Sequence, residues 1–331
     1  MSPNKRVLLA ASLCLAALAA GALAWTRGSA ARPPAAAKRA SGPHLVLGVP
    51  WGAIGAALGR KDASEAAPEG PMSFALLPDG DVVVLDQVNL RLARLRGPGF
   101  LVGETPIPAD TFQELEVRED GTVVLLDRLA RASLLVMAPS GAVLREVGIV
   151  GAGIPEGGAV TAMLAEPDGI WLEHNNTDRV RLLDAQLVPT ARAVVRGRAL
   201  GSDKRLLAAL DGRAGATLWL EDATSGLVLK RVAVPAPQRV DRIIWVQADS
   251  RGDVHALFHL LASDPALGAQ VATEEVLGLR YDGALDLVAT YRSPYTIRIW
   301  EQFREVRVLP DGTVYQMAFT DEGVRILRWS W

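Results

Sequence analysis

Three features of the sequence predict an all-β chain folded as a six-bladed β-propeller behind an N-terminal signal peptide or membrane-anchor helix. A strand-turn-strand unit centred on glycine returns about every 40 residues, as in propeller arrays. The composition is rich in turn formers, and an apolar segment follows two cations at the N-terminus. Half of the 331 residues are hydrophobic, and 31 Gly with 20 Pro suit a folded chain with many turns. The net charge is -2, with Lys and Arg scattered among Asp and Glu, so the basic footprint that phosphate neutralisation requires is missing and nucleic acid is excluded as a partner.

Lys5 and Arg6 precede an uncharged run from Val7 to Trp25, the layout of an export signal. Ala22-Leu23-Ala24 sets small residues where a signal peptidase reads, giving cleavage before Trp25. The run is also close to the roughly 20 residues that span a bilayer, so an uncleaved anchor over 7–25 stays open. Arg27, Arg32, Lys38 and Arg39 beyond it oppose that second reading through the positive-inside bias. Residues 26–43, Ala- and Pro-rich without apolar periodicity, read as a tether, and 44–331 as the propeller. The expected location is periplasmic or secreted, or anchored to the inner membrane. The single cysteine, Cys14, falls inside the leader with bulky Leu13 before it, so cleavage leaves a body without disulfides or thiolate chemistry.

The repeat is clearest at Phe74–Asp86, where Asp79-Gly80 forms a tight turn between β-branched runs, followed by Asn89–Leu95. Leu115–Asp127 repeats it around Asp120-Gly121, with Ser133–Met137 and a further turn at Ser140-Gly141. A third copy runs Met163–Glu173 around Asp168-Gly169, then Asp178–Leu183. The fourth and fifth are degenerate: Leu206–Leu210, Ala216–Leu220 and Gly226–Val234, then Ile243–Ala248, Gly252–Phe258, a long turn from about Leu261 to Thr273, and Val276–Tyr281. Val306–Phe319, around Asp311-Gly312, and Gly323–Trp329 form the sixth, which ends one strand short. His44–Val49 is left over ahead of the first unit and is expected to supply that strand, closing the ring and covering a sheet edge.

In the first unit Asp79-Gly80, Asp86, Asn89 and Arg91 resemble the repeat of NHL-type six-bladed propellers, with Gly48, Trp51-Gly52 and Gly55 similar to a glycine-rich blade entry. The second unit keeps Asp120-Gly121 and Asp127 but has Ala130 and Ala132 for the Asn and Arg; the third keeps Asp168-Gly169 and Arg179, and the last Asp311-Gly312 and Arg325. The resemblance runs from about His44 onward and implies a fold, one that serves binding scaffolds, hydrolases, lyases and dehydrogenases alike.

Glu173-His174-Asn175-Asn176-Thr177-Asp178 concentrates polar groups after a strand, where Asn and Asp favour a hairpin turn; His174 and Asn175 are the binding candidates there. Trp300 and Arg298, with Tyr295 in an aromatic connection between units, are the second pair, since such residues dominate interface hot spots. His255 and His259 share a strand face without a third ligand nearby, so they read as partly buried strand histidines rather than a zinc site. Arg251-Gly252-Asp253 reads as a turn, the 148–158 glycine stretch as an inter-blade connection, and Trp171, Trp219 and Trp245 as inter-blade packing. No catalytic residues, metal ligands or cofactor are assigned, and the function expected is a non-enzymatic binding scaffold of the cell envelope with a protein, glycan or small-molecule ligand. The alternative is a hydrolase resembling the lactonase propellers, with a divalent metal held by Glu, Asn and Asp in the central channel.

Overall fold

The computed structural model describes residues 37–331 apart from 41, 65–66, 213–214, 264–270, 296–298 and 300–301, and without the side chains of 263 and 271–273. The leader expected at 1–25 and most of the tether lie outside the described residues; among those described, no helix is long and apolar enough to cross a membrane.

Six antiparallel sheets follow one another along the chain, and each has its first strand innermost. Blade 1 comprises Ser73–Leu76, Val82–Asp86, Arg91–Arg96 and Phe100–Pro106, and blade 2 comprises Glu114–Val117, Val123–Asp127, Ser133–Met137 and Val143–Gly148. Blade 3 (Val160–Glu166 to Val194–Arg196) and blade 4 (Arg198–Leu200 to Val228–Ala233) are joined through Gly197 alone. Blade 5 runs from Arg239–Ala248 to Leu287–Pro294, and blade 6 from Val306–Val308 to Gly323–Trp329. His44–Pro50 pairs antiparallel with Gly323–Trp329 as the outer strand of blade 6, which is the closure the leftover strand implied. Two differences from the sequence reading stand out. Lys38–Arg39, expected in the tether, already pair in parallel with Ala289–Thr290 on the edge of blade 5. The expected long turn of blade 5 is shorter, because its strands extend to Ser263 and resume at Val271.

Burial follows position in the blade. The middle strands Val82–Asp86, Val123–Asp127 and Ser133–Met137 are buried throughout, since a neighbouring blade covers each face, and they read as unbroken apolar runs. Outer strands such as Val143–Gly148 and Val228–Ala233 alternate because one face meets water. Apolar clusters fill the seams between blades 6 and 1, 1 and 2, 2 and 3, 4 and 5, and 5 and 6. Charge stitches the seam between blades 3 and 4: on either side of Gly197 (φ 69°), Arg196 reaches forward to Glu221 at 3.0 Å and Arg198 reaches back to Glu173 at 2.6 Å.

The recurring Asp-Gly is a turn device. Gly80, Gly121 and Gly312 take φ of 88°, 81° and 81°, a region that only glycine enters without strain. The preceding aspartate accepts from the amide two residues on: Asp79 from Asp81, Asp120 from Thr122 and Asp311 from Thr313. Gly252 of the Arg-Gly-Asp tripeptide is in the same turn, at φ 83°. The third copy differs: Pro167-Asp168 form the turn, and Gly169 is a strand residue where a Cβ would lie 1.9 Å from the Leu183 carbonyl. Asp86, Asn89 and Arg91 knit the first blade to the segment before it. The Asp86 carboxylate accepts from Gly59 N–H, Asn89 Nδ2 and Arg91 Nε, while Arg91 also donates to the Ala57 carbonyl.

Candidate functional site

A propeller offers its ligand the two mouths of its axial channel, and here the mouths are separated. One cavity of about 420 Å³ opens at the C-terminal ends of the inner strands and is lined by Glu116, Ala165, Ala199, Trp245, Arg307 and Pro310 among others. The opposite cavity, about 300 Å³, lies where the inner strands begin and where second-to-third-strand turns gather; Arg128, Thr161, Asn176, Arg242, Gln302 and Phe303 form much of its wall. Both volumes fall in or near the range that holds small ligands or a partner's side chain.

The segment 302–305 separates them. Phe303 and Arg304 donate backbone N–H groups to the Met72 carbonyl in the connection entering blade 1. The Arg304 guanidinium pairs with Glu114 of blade 2, donates to the Met163 carbonyl of blade 3 and lies 3.4 Å from the Trp245 ring centroid of blade 5. Arg198 approaches the same ring at 4.2 Å. Arg307 pairs with Glu116, and Arg242 with Glu305, which also accepts from Tyr295. Glu114 and Glu305 are wholly buried and Arg304 nearly so, a setting in which each charge needs its partner. Burial pushes the Glu114 carboxyl up to about 7 against the pull of Arg304 and Arg307, and burial pulls Arg304 down to about 9, still protonated at neutral pH. Burial works against ionisation of Glu173 too, but the charge and hydrogen bonds of Arg198, with Thr161 and Arg179, hold it below the usual carboxylate range.

His174 and Asn175 begin the tight turn at the second mouth, with Thr177 N–H donating to the His174 carbonyl at 3.1 Å. Asn175 and Asn176 both adopt left-handed φ, 52° and 57°, which asparagine accepts more readily than most residues. Asn176 faces the cavity, and the opposite wall is Ile299, Gln302 and Phe303. Of the turn it is Asn176 that lines this mouth, and His174 and Asn175 are not among its lining residues. Arg298 and Trp300 lie outside the described residues.

The arginine–glutamate pairs went unread in the sequence. Their signal was present: Glu114 and Glu116 flank Leu115, and Arg307 sits between Val306 and Val308, charges at period two in apolar inner strands. The strand histidines are more deeply placed than expected, both with no exposed side-chain surface. His255 Nε2 sits 3.1 Å from Asp249, and burial holds that imidazole below its usual range despite the carboxylate. Trp245 packs between blades as expected, whereas Trp171 and Trp219 lie under arginines of their own blades, Arg179 and Arg181 over the first and Arg231 over the second.

No protein-family model and no curated protein sequence matches the chain. Among solved structures, hydrazine synthase of Kuenenia stuttgartiensis aligns with a TM-score of 0.50 at 11% identity over 78% of this chain and 80% of that one. Virginiamycin B lyase from Staphylococcus aureus gives 0.44 at 13% identity over 82% and 98%. BamB from Moraxella catarrhalis gives 0.41 at 10% over 88% and 98%. At such identities the likeness is one of fold, and the chain is a six-bladed β-propeller.

Proposed function

We propose that this propeller is an exported binding scaffold of the cell envelope, and that its protein or small-molecule partner docks at the mouth lined by Asn176 of turn 174–177 and by Ile299, Gln302 and Phe303. One observation carries the reading: Glu114, Glu116, Glu173 and Glu305, buried or nearly so around the channel, are each taken by an arginine. A lactonase-like channel would need such groups facing a divalent ion. With the axis filled, recognition falls to the mouth, where an apolar floor of Val160, Ile243, Ile299 and Phe303 is rimmed by Asn176, Thr161 and Arg128. The leader at 7–25 supports export and the tether a place at the envelope. Photo-crosslinking residues placed at Asn175 and Leu210, with Ala165 at the opposite mouth as control, test this in intact cells. The expected result is one discrete adduct from the first two positions and none from Ala165. Stoichiometric calcium or zinc in the purified protein, together with lactone hydrolysis, would overturn it.

A further inference from the structure

The N-terminal stretch that closes the ring also straps two blades together at their rims. Lys38–Arg39 pair with Ala289–Thr290 on the outer edge of blade 5, Ala40 N–H donates to the Thr290 carbonyl at 3.0 Å, and His44–Pro50 then form the outer strand of blade 6. Beside this strap lies a cavity of about 470 Å³ that shares no lining residue with either channel mouth. Its floor is apolar. Leu277, Leu279, Tyr291 and Trp329 line it, each at most 5% exposed. Tyr291 lies across Gly278, its partner in the strand pairing, where a Cβ would come within 2.0 Å of the ring, and it stacks on Trp329 at 4.3 Å between centroids. Pro235 and Pro237, from the connection into blade 5, add a wall without N–H groups that would need acceptors.

The charges at this cavity are of one sign. Arg39 and Arg292 line it, and among the described residues no Asp or Glu does. Arg292 is paired with Glu275 at 2.6 Å, whereas Arg39 is exposed and has no ion-pair partner among the described residues. The stretch leading into the strap cannot supply one, because residues 1–61 contain no Asp or Glu. An apolar floor beside an unpaired guanidinium suits an acyl chain ending in one planar anion. The guanidinium fork grips a carboxylate through two parallel hydrogen bonds, and one unpaired cation balances one negative charge. A cavity of this volume takes one small ligand, which favours a single chain over a two-chain lipid. We propose that the strap cavity binds a fatty acid, with its chain over Leu277, Leu279, Tyr291 and Trp329 and its carboxylate on Arg39. The site is independent of the docking mouth, and its failure would leave that reading untouched.

Terminally brominated undecanoate added to the full-length protein tests the site, because bromine on the chain quenches tryptophan fluorescence only at close range and Trp329 is part of the floor. Saturable quenching is expected. Brominated undecanol, the same chain with a neutral head, should bind about five- to tenfold more weakly. Arg39→Gln should bring the acid down to the affinity of the alcohol and leave the alcohol unchanged, and Trp329→Phe should remove most of the quenched signal. Equal affinity for acid and alcohol in the wild-type protein overturns the proposal. So does quenching that survives Trp329→Phe, which would put the chain at another tryptophan, such as Trp25 beside the apolar run. Where Trp329→Phe does not fold, Arg39→Gln decides: unchanged affinity for the acid overturns the site. Binding to vesicles of anionic phospholipid without quenching by the brominated acid also overturns it, and would assign Arg39 to a membrane surface.

Discussion

Arg304 touches more of the ring than its place between blades implies, and its removal should be felt across the whole domain. Arg304→Met keeps most of the side-chain length and deletes the charge, stranding Glu114, which has no solvent exposure. Breaking a buried pair from one side costs about 3–5 kcal/mol. Unfolding entropy of about 2.1 cal/mol/K per residue, over the roughly 295 residues from 37 to 331, gives about 0.6 kcal/mol/K, so melting followed by circular dichroism at pH 8 should drop by about 5–8 °C. At pH 5.5 the penalty should shrink to about 1–2 kcal/mol, because Glu114, already raised to about 7 by burial, enters the folded state protonated and only hydrogen bonds and packing are lost. Arg304→Met combined with Glu114→Leu removes both charges and should recover most of the pH 8 loss, as apolar replacement of buried pairs usually does. A single variant melting within about 1 °C of wild type at pH 8, or a double variant as unstable as the sum of the two changes, would refute the idea that this pair holds the axis.

Three further outcomes are expected. Gly278→Ala would put a Cβ 2.0 Å from the Tyr291 ring, which stacks on Trp329, and should lower stability by about 1–3 kcal/mol in thermal melts. Asn175→Ala and Asn176→Ala, at left-handed φ, should each cost about 1–2 kcal/mol while the glycine variants stay near wild type; equal effects of Ala and Gly would mean that side-chain contacts matter more than backbone strain. The pH profile should slope in both directions: Glu173, held below its unfolded value, loses its contribution as pH falls below about 4.5, whereas Glu114, raised to about 7, withdraws stability as pH rises from about 4.5 through 7. Glu173→Gln should flatten the acid limb and Glu114→Gln the other.

The fold was legible because the repeat lies in local chemistry. Each Asp-Gly turn needs a positive φ and an aspartate acceptor in sequence neighbours, and blade-centre strands advertise two covered faces as unbroken apolar runs. The closing strand could be read because the sixth unit runs out one strand short at the end of the repeat while the apolar segment His44–Val49 is left over ahead of the first. Lys38–Arg39 could not, because a two-residue parallel pairing leaves no pattern. Nor could the site. Turn 174–177 was visible as a turn, but that Asn176 faces Gln302 across a cavity depends on the ring bringing blade 3 opposite the connection into blade 6. The ion pairs were hidden for the same reason: Arg304 and Glu114 are far apart in sequence, and each alone is an ordinary charge.

The chemistry of the axis follows from the sheets themselves. The innermost strand of every blade has one hydrogen-bonded neighbour, so its other edge turns N–H and C=O groups toward the channel, where burial without a partner is costly. An apolar filling would leave those groups orphaned. Arginine suits the task because its planar fork has five donors and can serve a carbonyl and a carboxylate together. Arg307 donates to the Phe74 and Leu115 carbonyls of blades 1 and 2 while pairing with Glu116, Arg304 to the Met163 carbonyl while pairing with Glu114, and Arg198 to the Val246 carbonyl while pairing with Glu173. Each guanidinium brings a buried charge, and each glutamate cancels it; Glu114 also accepts the Met163 N–H at 2.8 Å, serving the same edge from the other side. The arginine–glutamate axis is therefore how inner edges of blades 1, 2, 3 and 5 are satisfied at close quarters, each guanidinium serving a backbone carbonyl and a carboxylate together.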